Sequence, residues 1–126
     1  AIDAAGTDRI CLVTDAMSAT GRGDGRYLLG ELEVEVRDGT ARLATADGTP
    51  GSIAGSTLTM AEAFSFVVGR AGLSIPEAAR IAATTPARWH GLKEVGTLET
   101  GKRADICVVN DAGELQQVWR RGERIH

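Results

Sequence analysis

An aspartate two positions beyond a run of apolar residues is the first group in this sequence that could do chemistry. Asp15 comes after Ile10–Val13, a run in which every residue is apolar. Such a run is typical of a buried parallel strand, and barrel enzymes place catalytic carboxylates just beyond the carboxyl ends of their strands. Asp15 is therefore a candidate acid or base, although an aspartate in this position also commonly caps a turn.

A second candidate is the glycine-flanked segment Gly51–Ser56, which we interpret as a loop that runs into a helix. Glycine lets backbone N–H groups approach a ligand closely. The segment lacks the Gly-Lys-Ser/Thr ending of a phosphate-binding P-loop. It is either a ligand-binding loop or a flexible connection that ends in a Ser or Thr helix cap.

Metal ligands and reactive thiols are sparse. His90 and His126 are far apart, and no His-x-His, Cys-x-x-Cys or His-Glu-x-x-His motif occurs. We expect His90, beside Trp89, to be a packing residue. Cys11 and Cys107 lie in apolar runs, so we expect buried, reduced thiols, with one long-range disulfide as the alternative. These residues are not expected to assemble a complete metal site by themselves.

The composition excludes several classes of protein. The 126 residues carry 14 Lys and Arg against 17 Asp and Glu, a formal charge of -3, without the basic stripe of a nucleic-acid binder. No apolar run reaches the roughly 20 residues that a membrane helix needs, and the first residues lack the pattern of a signal peptide. The length suits one domain. We expect a cytoplasmic protein with neither nucleic acid nor membrane as a partner.

The clearest structural element is a hairpin. Apolar and charged residues alternate strictly over Glu31–Arg37, which is the period of a half-exposed strand. Asp38-Gly39, a dipeptide favoured in two-residue turns, follows it, and Thr40–Ala44 would form the return strand. The resulting register pairs Val36 with Ala41, Val34 with Leu43 and Glu35 with Arg42.

Helical periodicity begins after the hairpin. An apolar stripe over Thr57–Gly72 predicts one helix, and Ser74–Glu77 has the form of a capping box that begins another. We expect the second helix to end before Pro86, because proline lacks an N–H group and disfavours helical backbone at the residue before it. The remaining predicted elements are a buried strand over Ala104–Val109 and a hairpin over Leu115–Ile125 that turns near Arg121-Gly122.

Several motifs together resemble a known family. Thr84–Arg88 and Gly96–Asp105 are similar to the C-terminal signature of the amidohydrolase superfamily. Leu12–Met17, Asp24–Tyr27 and Gly51–Met60, in this order and spacing, resemble the last third of the N-acetylglucosamine-6-phosphate deacetylase family. The resemblance covers almost the whole chain.

The resemblance implies a fold of the α/β class, namely the C-terminal end of a (β/α)8 TIM-type barrel plus part of a small β-sandwich domain. Residues 1–98 would form the end of the barrel, with a hairpin insertion at about 27–45, and residues 99–126 would form strands of the sandwich. A complete barrel takes about 250 residues. We therefore expect the chain to be part of a longer protein.

The resemblance also implies an activity, the hydrolysis of N-acetylglucosamine 6-phosphate to glucosamine 6-phosphate and acetate. A divalent metal would activate the attacking water, with zinc expected and iron, cobalt or manganese as alternatives. Asp15 matches the family's catalytic aspartate, which would act as base and then as acid. Ile53, Ala54, Gly55 and Ser56 match the family loop that lies against the sugar. The family's metal ligands precede the matching region, so none is expected in this chain.

The family further implies an amino-sugar phosphate substrate and a homodimer. Two alternatives stay open. One is another amidohydrolase that shares only the C-terminal signature, and the other is a catalytically silent fragment that serves dimerisation. The motifs between Asp24 and Met60 favour the deacetylase over the first alternative.

Overall fold

The protein mixes helices with two antiparallel sheets in a computed structural model that describes residues 2–126. The helical segments are α1 (Ile2–Ala5), a 3₁₀ turn (Thr7–Arg9), α2 (Met60–Gly69), α3 (Ile75–Ala79), a π-helical segment (Arg80–Thr84) and α4 (Thr85–Trp89). The strands are β1 (Gly25–Leu29), β2 (Leu32–Arg37), β3 (Thr40–Leu43), β4 (Ile53–Ser56), β5 (Ile106–Val109), β6 (Leu115–Arg120) and β7 (Glu123–Arg124).

The described residues form two compact units. Residues 14–60 form one of them, and residues 2–13 together with 61–126 form the other. The mixed helix and sheet content agrees with the predicted α/β class. The division into 1–98 and 99–126 concerns the complete fold and stays a prediction.

The predicted hairpin is confirmed in the unit formed by residues 14–60. Strands β2 and β3 pair in the predicted register, from Val34 opposite Leu43 to Arg37 opposite Thr40. Asp38 and Gly39 have φ angles of 49° and 71°, the positive values that a type I′ turn requires at both central positions. The alternating pattern and the turn residues were sufficient to predict this element.

Two further strands complete this sheet, whose order is β1-β2-β3-β4. The sequence did not predict β1, because Gly25–Leu29 shows no alternation. It pairs with β2 along its whole length. The core under the sheet contains Met17, Ala19, Val34, Val36 and Ala41, which are all buried.

Helix α2 and the capping box organise the other unit. Helix α2 is shorter than predicted and buries Ala63 and Val67. The backbone N–H of Ser74 donates to Oε2 of Glu77 at 2.9 Å, which confirms the predicted start of α3. Ile81 forms the core of this unit with Val67 and Ala78. No helix within residues 2–126 is long and apolar enough to cross a membrane.

The prediction that the second helix ends before Pro86 is wrong. Helical backbone continues from α3 through the π-helical segment into α4, which contains Pro86. The N–H of Thr85 bonds to the carbonyl of Arg80, five residues earlier. This wider turn spaces the carbonyls differently from an α-helix and so accommodates a proline that would otherwise clash with the preceding turn.

The predicted strand over Ile10–Val13 is also wrong for the described residues. This segment forms no ladder with any of them. The N–H of Leu12 donates to the carbonyl of Ile81 at 2.8 Å, and the side chain of Val13 is 72% exposed. A parallel strand needs neighbours to satisfy its N–H and C=O groups, and none of the described segments supplies them.

Several side chains that we predicted to be buried are exposed. Cys11 and Cys107 are free thiols, but both are exposed rather than buried. His90 is exposed, and so is Trp89. These side chains lie on faces that no described segment covers, which their apolar sequence neighbours alone did not reveal.

The second sheet has the order β5-β6-β7. Strand β5 starts at Ile106, two residues later than predicted, and the N–H of Asp105 bonds locally to the carbonyl of Arg103 at 2.8 Å. The side chain of Asp105 contacts the turn that follows β6. Its carboxylate accepts the N–H of Arg121 at 2.9 Å. The turn at Arg121-Gly122 is confirmed, with φ angles of 52° and 83°.

The capping box gives a testable pH dependence. Hydrogen bonds from the hydroxyl and the N–H of Ser74 hold the pKa of Glu77 below its usual 4.5. A carboxyl whose pKa is lower in the folded state stabilises the fold above the unfolded-state pKa, and this contribution is lost as the pH falls through the folded value. We expect Glu77→Gln to lower the thermal midpoint at pH 7, and the difference from wild type to shrink progressively below pH 4.5.

Thermal unfolding followed by circular dichroism between pH 7 and pH 3 measures this difference. Glu31→Gln, at an exposed turn between β1 and β2, is the matched control and should leave the midpoint unchanged. A Glu77→Gln deficit that stays constant across the whole pH range would contradict the assignment.

Candidate functional site

Asp15 has an unusual backbone conformation. Three non-glycine residues in the described chain have positive φ angles: Asp15 at 52°, Asp38 at 49° and Arg121 at 52°. Asp38 and Arg121 occupy hairpin turns, which require this conformation. Asp15 lies in no hairpin. Left-handed backbone is less favourable than right-handed for residues with a Cβ, although aspartate adopts it more readily than most, and residues held in this conformation cluster at functional sites.

Backbone hydrogen bonds join Asp15 to the end of β4. The N–H of Ser56 donates to the carbonyl of Asp15 at 2.8 Å, and the N–H of Met17 donates to the carbonyl of Ser56 at 2.9 Å. Ala16 and Ser56 thereby form a parallel bridge. The structure brings together the candidate acid or base and the candidate substrate segment, which are far apart in the sequence.

The candidate substrate residues Ile53, Ala54, Gly55 and Ser56 form strand β4, and the prediction of a loop is wrong for them. Strand β4 pairs with β3 at Ser56 and at Ile53, but the register shifts between these positions. Ala54 and Gly55 therefore have no paired residue on β3. Such an irregularity bends a strand and changes the direction of its backbone groups.

Gly55 lies in this irregularity with a φ angle of 106°. A Cβ at this position would lie 3.2 Å from the carbonyl oxygen of Asp15 and 3.5 Å from the Cβ of Met17. The absence of a side chain is what lets the backbone of β4 approach Asp15 closely. The glycine-flanked sequence signalled a close approach, but not that the approached group is Asp15.

The carboxylate of Asp15 is exposed. Asp15 lies beside the end of the irregular strand β4, where its side chain is accessible. An exposed carboxylate held by a rigid backbone suits a general base or acid. The arrangement is a candidate active site rather than a buried structural contact.

The described residues do not form a metal site. No group of three or more His, Cys, Asp or Glu side chains in residues 2–126 is placed to hold a metal ion. His90 and His126 belong to no such group. The donor groups that a divalent ion needs are not assembled by this part of the chain.

Two residues that support the site were not predicted from the sequence. The carboxylate of Asp24 accepts the N–H groups of Asp38 and Gly39, and the hydroxyl of Thr57 donates to the carbonyl of Gly39 at 2.7 Å. Both residues lie in the motifs that resemble the family. Nothing in their local pattern indicates which backbone groups they bind.

Residues 3–125 match the Amidohydrolase family. The match covers nearly the whole chain, and this chain belongs to the amidohydrolase family.

Within that family the chain is similar to deacetylases of N-acetylhexosamine phosphates. It is 39% identical over 117 residues to the N-acetylgalactosamine-6-phosphate deacetylase of Escherichia coli O157:H7, covering 92% of this chain and 30% of that protein. It is 38% identical to the N-acetylglucosamine-6-phosphate deacetylase of Homo sapiens, covering 92% of this chain and 28% of that protein.

The chain is also similar to solved structures of such deacetylases. The chain matches an aspartate-to-alanine mutant of the Mycobacterium smegmatis N-acetyl-D-glucosamine-6-phosphate deacetylase, in complex with N-acetyl-D-glucosamine-6-phosphate, with a TM-score of 0.85 and 40% identity over 98% of this chain and 32% of that one. The TM-score is 0.84, with 34% identity and the same two coverages, for the Thermotoga maritima N-acetylglucosamine-6-phosphate deacetylase. The chain thus spans less than a third of each of these four proteins.

Gly55 provides a test of the site geometry. We expect Gly55→Ala to lower the free energy of unfolding by about 1–2 kcal/mol, because a Cβ is disfavoured in this backbone conformation. The new methyl group would also press on the carbonyl of Asp15. Urea unfolding measures the loss of stability.

Gly69→Ala is the matched control. Gly69 ends α2, and a Cβ there would meet no atom within 4 Å. This replacement should be neutral or should stabilise the protein by up to about 1 kcal/mol, because alanine favours helix over glycine. Equal effects of the two replacements would contradict the close approach of β4 to Asp15.

Proposed function

We propose that this chain forms part of the catalytic site of an amide hydrolase that converts N-acetylglucosamine 6-phosphate to glucosamine 6-phosphate and acetate. The observation that carries the proposal is the exposed carboxylate of Asp15, held by backbone hydrogen bonds against the irregular strand β4. Membership of the amidohydrolase family and the names of the similar proteins support it.

N-acetylgalactosamine 6-phosphate is a second candidate substrate. A relative with that substrate in its name is 39% identical to this chain. The two sugars differ only in the configuration of one ring hydroxyl. Acetate release from both, measured side by side with the full-length protein, distinguishes the candidates.

In the proposed reaction Asp15 moves a proton. Its carboxylate takes the proton from the water that attacks the acetamide carbonyl, and a C–O bond forms. The protonated carboxyl then gives that proton to the amide nitrogen as the C–N bond breaks, and the amine leaves neutral. Protonation is essential because an amide nitrogen is a poor leaving group, and one positioned carboxyl can serve both steps.

The proposed role of Ile53–Ser56 is to lie against the bound sugar. Ala54 and Gly55 lack paired residues on β3, so their backbone can turn towards an acetamide group or ring hydroxyls. The missing side chain of Gly55 leaves room for this approach. In this proposal Asp15 transfers the proton, and Ile53–Ser56 orient the substrate.

The amidohydrolase family resemblance implies a divalent metal, with zinc expected and iron, cobalt or manganese as alternatives. The described residues do not fit such an ion, because they contain no suitable cluster of ligands. Its ligands would therefore have to come from elsewhere in the complete enzyme.

At the level of the whole protein, we propose that residues 1–98 belong to the end of a (β/α)8 barrel and residues 99–126 to a small β-sandwich. A homodimer is part of the same proposal. The similarity to solved deacetylases over 98% of the chain supports the fold. A catalytically silent role in dimerisation is the competing proposal, and full-length protein that releases no acetate from either sugar would favour it.

Replacement of Asp15 tests the proton-transfer role. In the full-length protein we expect Asp15→Asn to lower kcat by about 10²–10⁴, the typical contribution of general acid–base catalysis. KM should change little, because the amide keeps the size of the side chain. Steady-state acetate release at several substrate concentrations measures both constants.

Asp38→Asn is the matched control. Asp38 has a similar positive φ angle, and asparagine tolerates that conformation well. Its kcat should stay within about twofold of wild type, because its side chain is assigned no chemistry. Near-normal turnover in Asp15→Asn would show that another group carries the proton.

A further inference from the structure

A set of hydrogen bonds ties the hairpin turn to the end of β4. The hydroxyl of Thr57 donates to the carbonyl of Gly39 at 2.7 Å. The carboxylate of Asp24 accepts the N–H of Asp38 at 2.9 Å and that of Gly39 at 3.3 Å. The turn is thus held through both its N–H groups and a carbonyl. We call Asp24, the turn Asp38-Gly39 and Thr57 the brace.

The residue beside the brace is the one that holds Asp15. Ser56 precedes Thr57 and donates its N–H to the carbonyl of Asp15, while its own carbonyl accepts the N–H of Met17. The hydroxyl of Ser56 accepts the N–H of Leu58 at 2.8 Å. The N–H, the carbonyl and the hydroxyl of Ser56 therefore each have a partner within the protein, and its N–H is the group that holds Asp15.

We propose that Thr57 is a positioning residue for Asp15, acting through the brace. This inference rests on the proposed function, in which Asp15 moves the proton. Without the hydroxyl of Thr57, the end of β4 has one fewer attachment to the hairpin, and Ser56 moves more freely relative to Asp15. The effect passes to Asp15 through the backbone of Ser56.

The conformation of Asp15 explains why such a brace matters. Its φ angle of 52° lies in a region that a residue with a Cβ leaves when it is not held there. The hydrogen bond from Ser56 supplies part of that restraint. A carboxylate that moves by about 1 Å can lose up to a hundredfold in rate. Because the brace restrains Ser56, which holds Asp15, we expect it to affect kcat more than substrate binding.

The test removes one hydroxyl and keeps the shape of the side chain. Thr57→Val abolishes the bond to Gly39, and Thr57→Ser restores a hydroxyl at the same position. Thr40→Val is the matched control, because Thr40 lies on β3 opposite Ser56, and valine keeps this backbone pairing while it removes a threonine hydroxyl that does not belong to the brace. All variants are made in the full-length protein.

Two quantities are measured. The first is kcat and KM for acetate release, for which we expect Thr57→Val to lower kcat roughly threefold to thirtyfold with KM within about twofold. The second is the hydrogen-exchange rate of the N–H groups of Ser56 and Met17, which should rise in Thr57→Val. Thr57→Ser should recover most of both losses, and Thr40→Val should show neither.

The outcomes separate this inference from the proposed function. Active wild-type protein with unchanged kcat in Thr57→Val overturns the inference and leaves the proposed function intact. A kcat loss without faster exchange at Ser56 and Met17 also overturns the inference, because the effect would then not pass through the backbone hydrogen bonds that join Ser56 to Asp15 and Met17. Wild-type protein that releases no acetate overturns the proposed function, and the positioning role with it.

Discussion

The candidate site depends on one short stretch of parallel backbone contact. Ser56 bonds to Asp15 through its N–H and to Met17 through its carbonyl, and these two bonds fix the segment that carries the carboxylate. Both are main-chain bonds, so they constrain the geometry of the site rather than the identity of most side chains. The exception is Gly55, where a Cβ would lie 3.2 Å from the carbonyl of Asp15.

The antiparallel sheet of residues 14–60 supplies the rigid platform for this contact. Val34, Val36 and Ala41 bury its inner face, and the tight turn at Asp38-Gly39 sets the register of β3 and hence the position of β4. The carboxylate of Asp15 lies at the edge of this platform and not within the core. It consequently stays accessible while its backbone is held in a left-handed conformation, a combination that suits the proposed proton transfer.

The other unit has a core of its own. Ile81 is buried with Val67 and Ala78, and the π-helical segment before Pro86 keeps the helix continuous where proline would normally end it. The ion pairs of Arg80 and Arg88 with Asp8 join exposed side chains, so they contribute little to stability. Apolar burial and helix geometry determine this unit.

By itself, the sequence determined the elements whose signals are local. Strict alternation and Asp38-Gly39 predicted the hairpin and its register, Ser74–Glu77 predicted the start of α3, and the family motifs singled out Asp15 and Ile53–Ser56. Only the tertiary structure decided that 53–56 is a strand, that Ile10–Val13 forms no ladder with the described residues, and that Asp24 and Thr57 brace the hairpin turn. The physical reason is that hydrogen bonds between groups far apart in the chain, whether backbone or side chain, leave no periodic trace in the residues that make them.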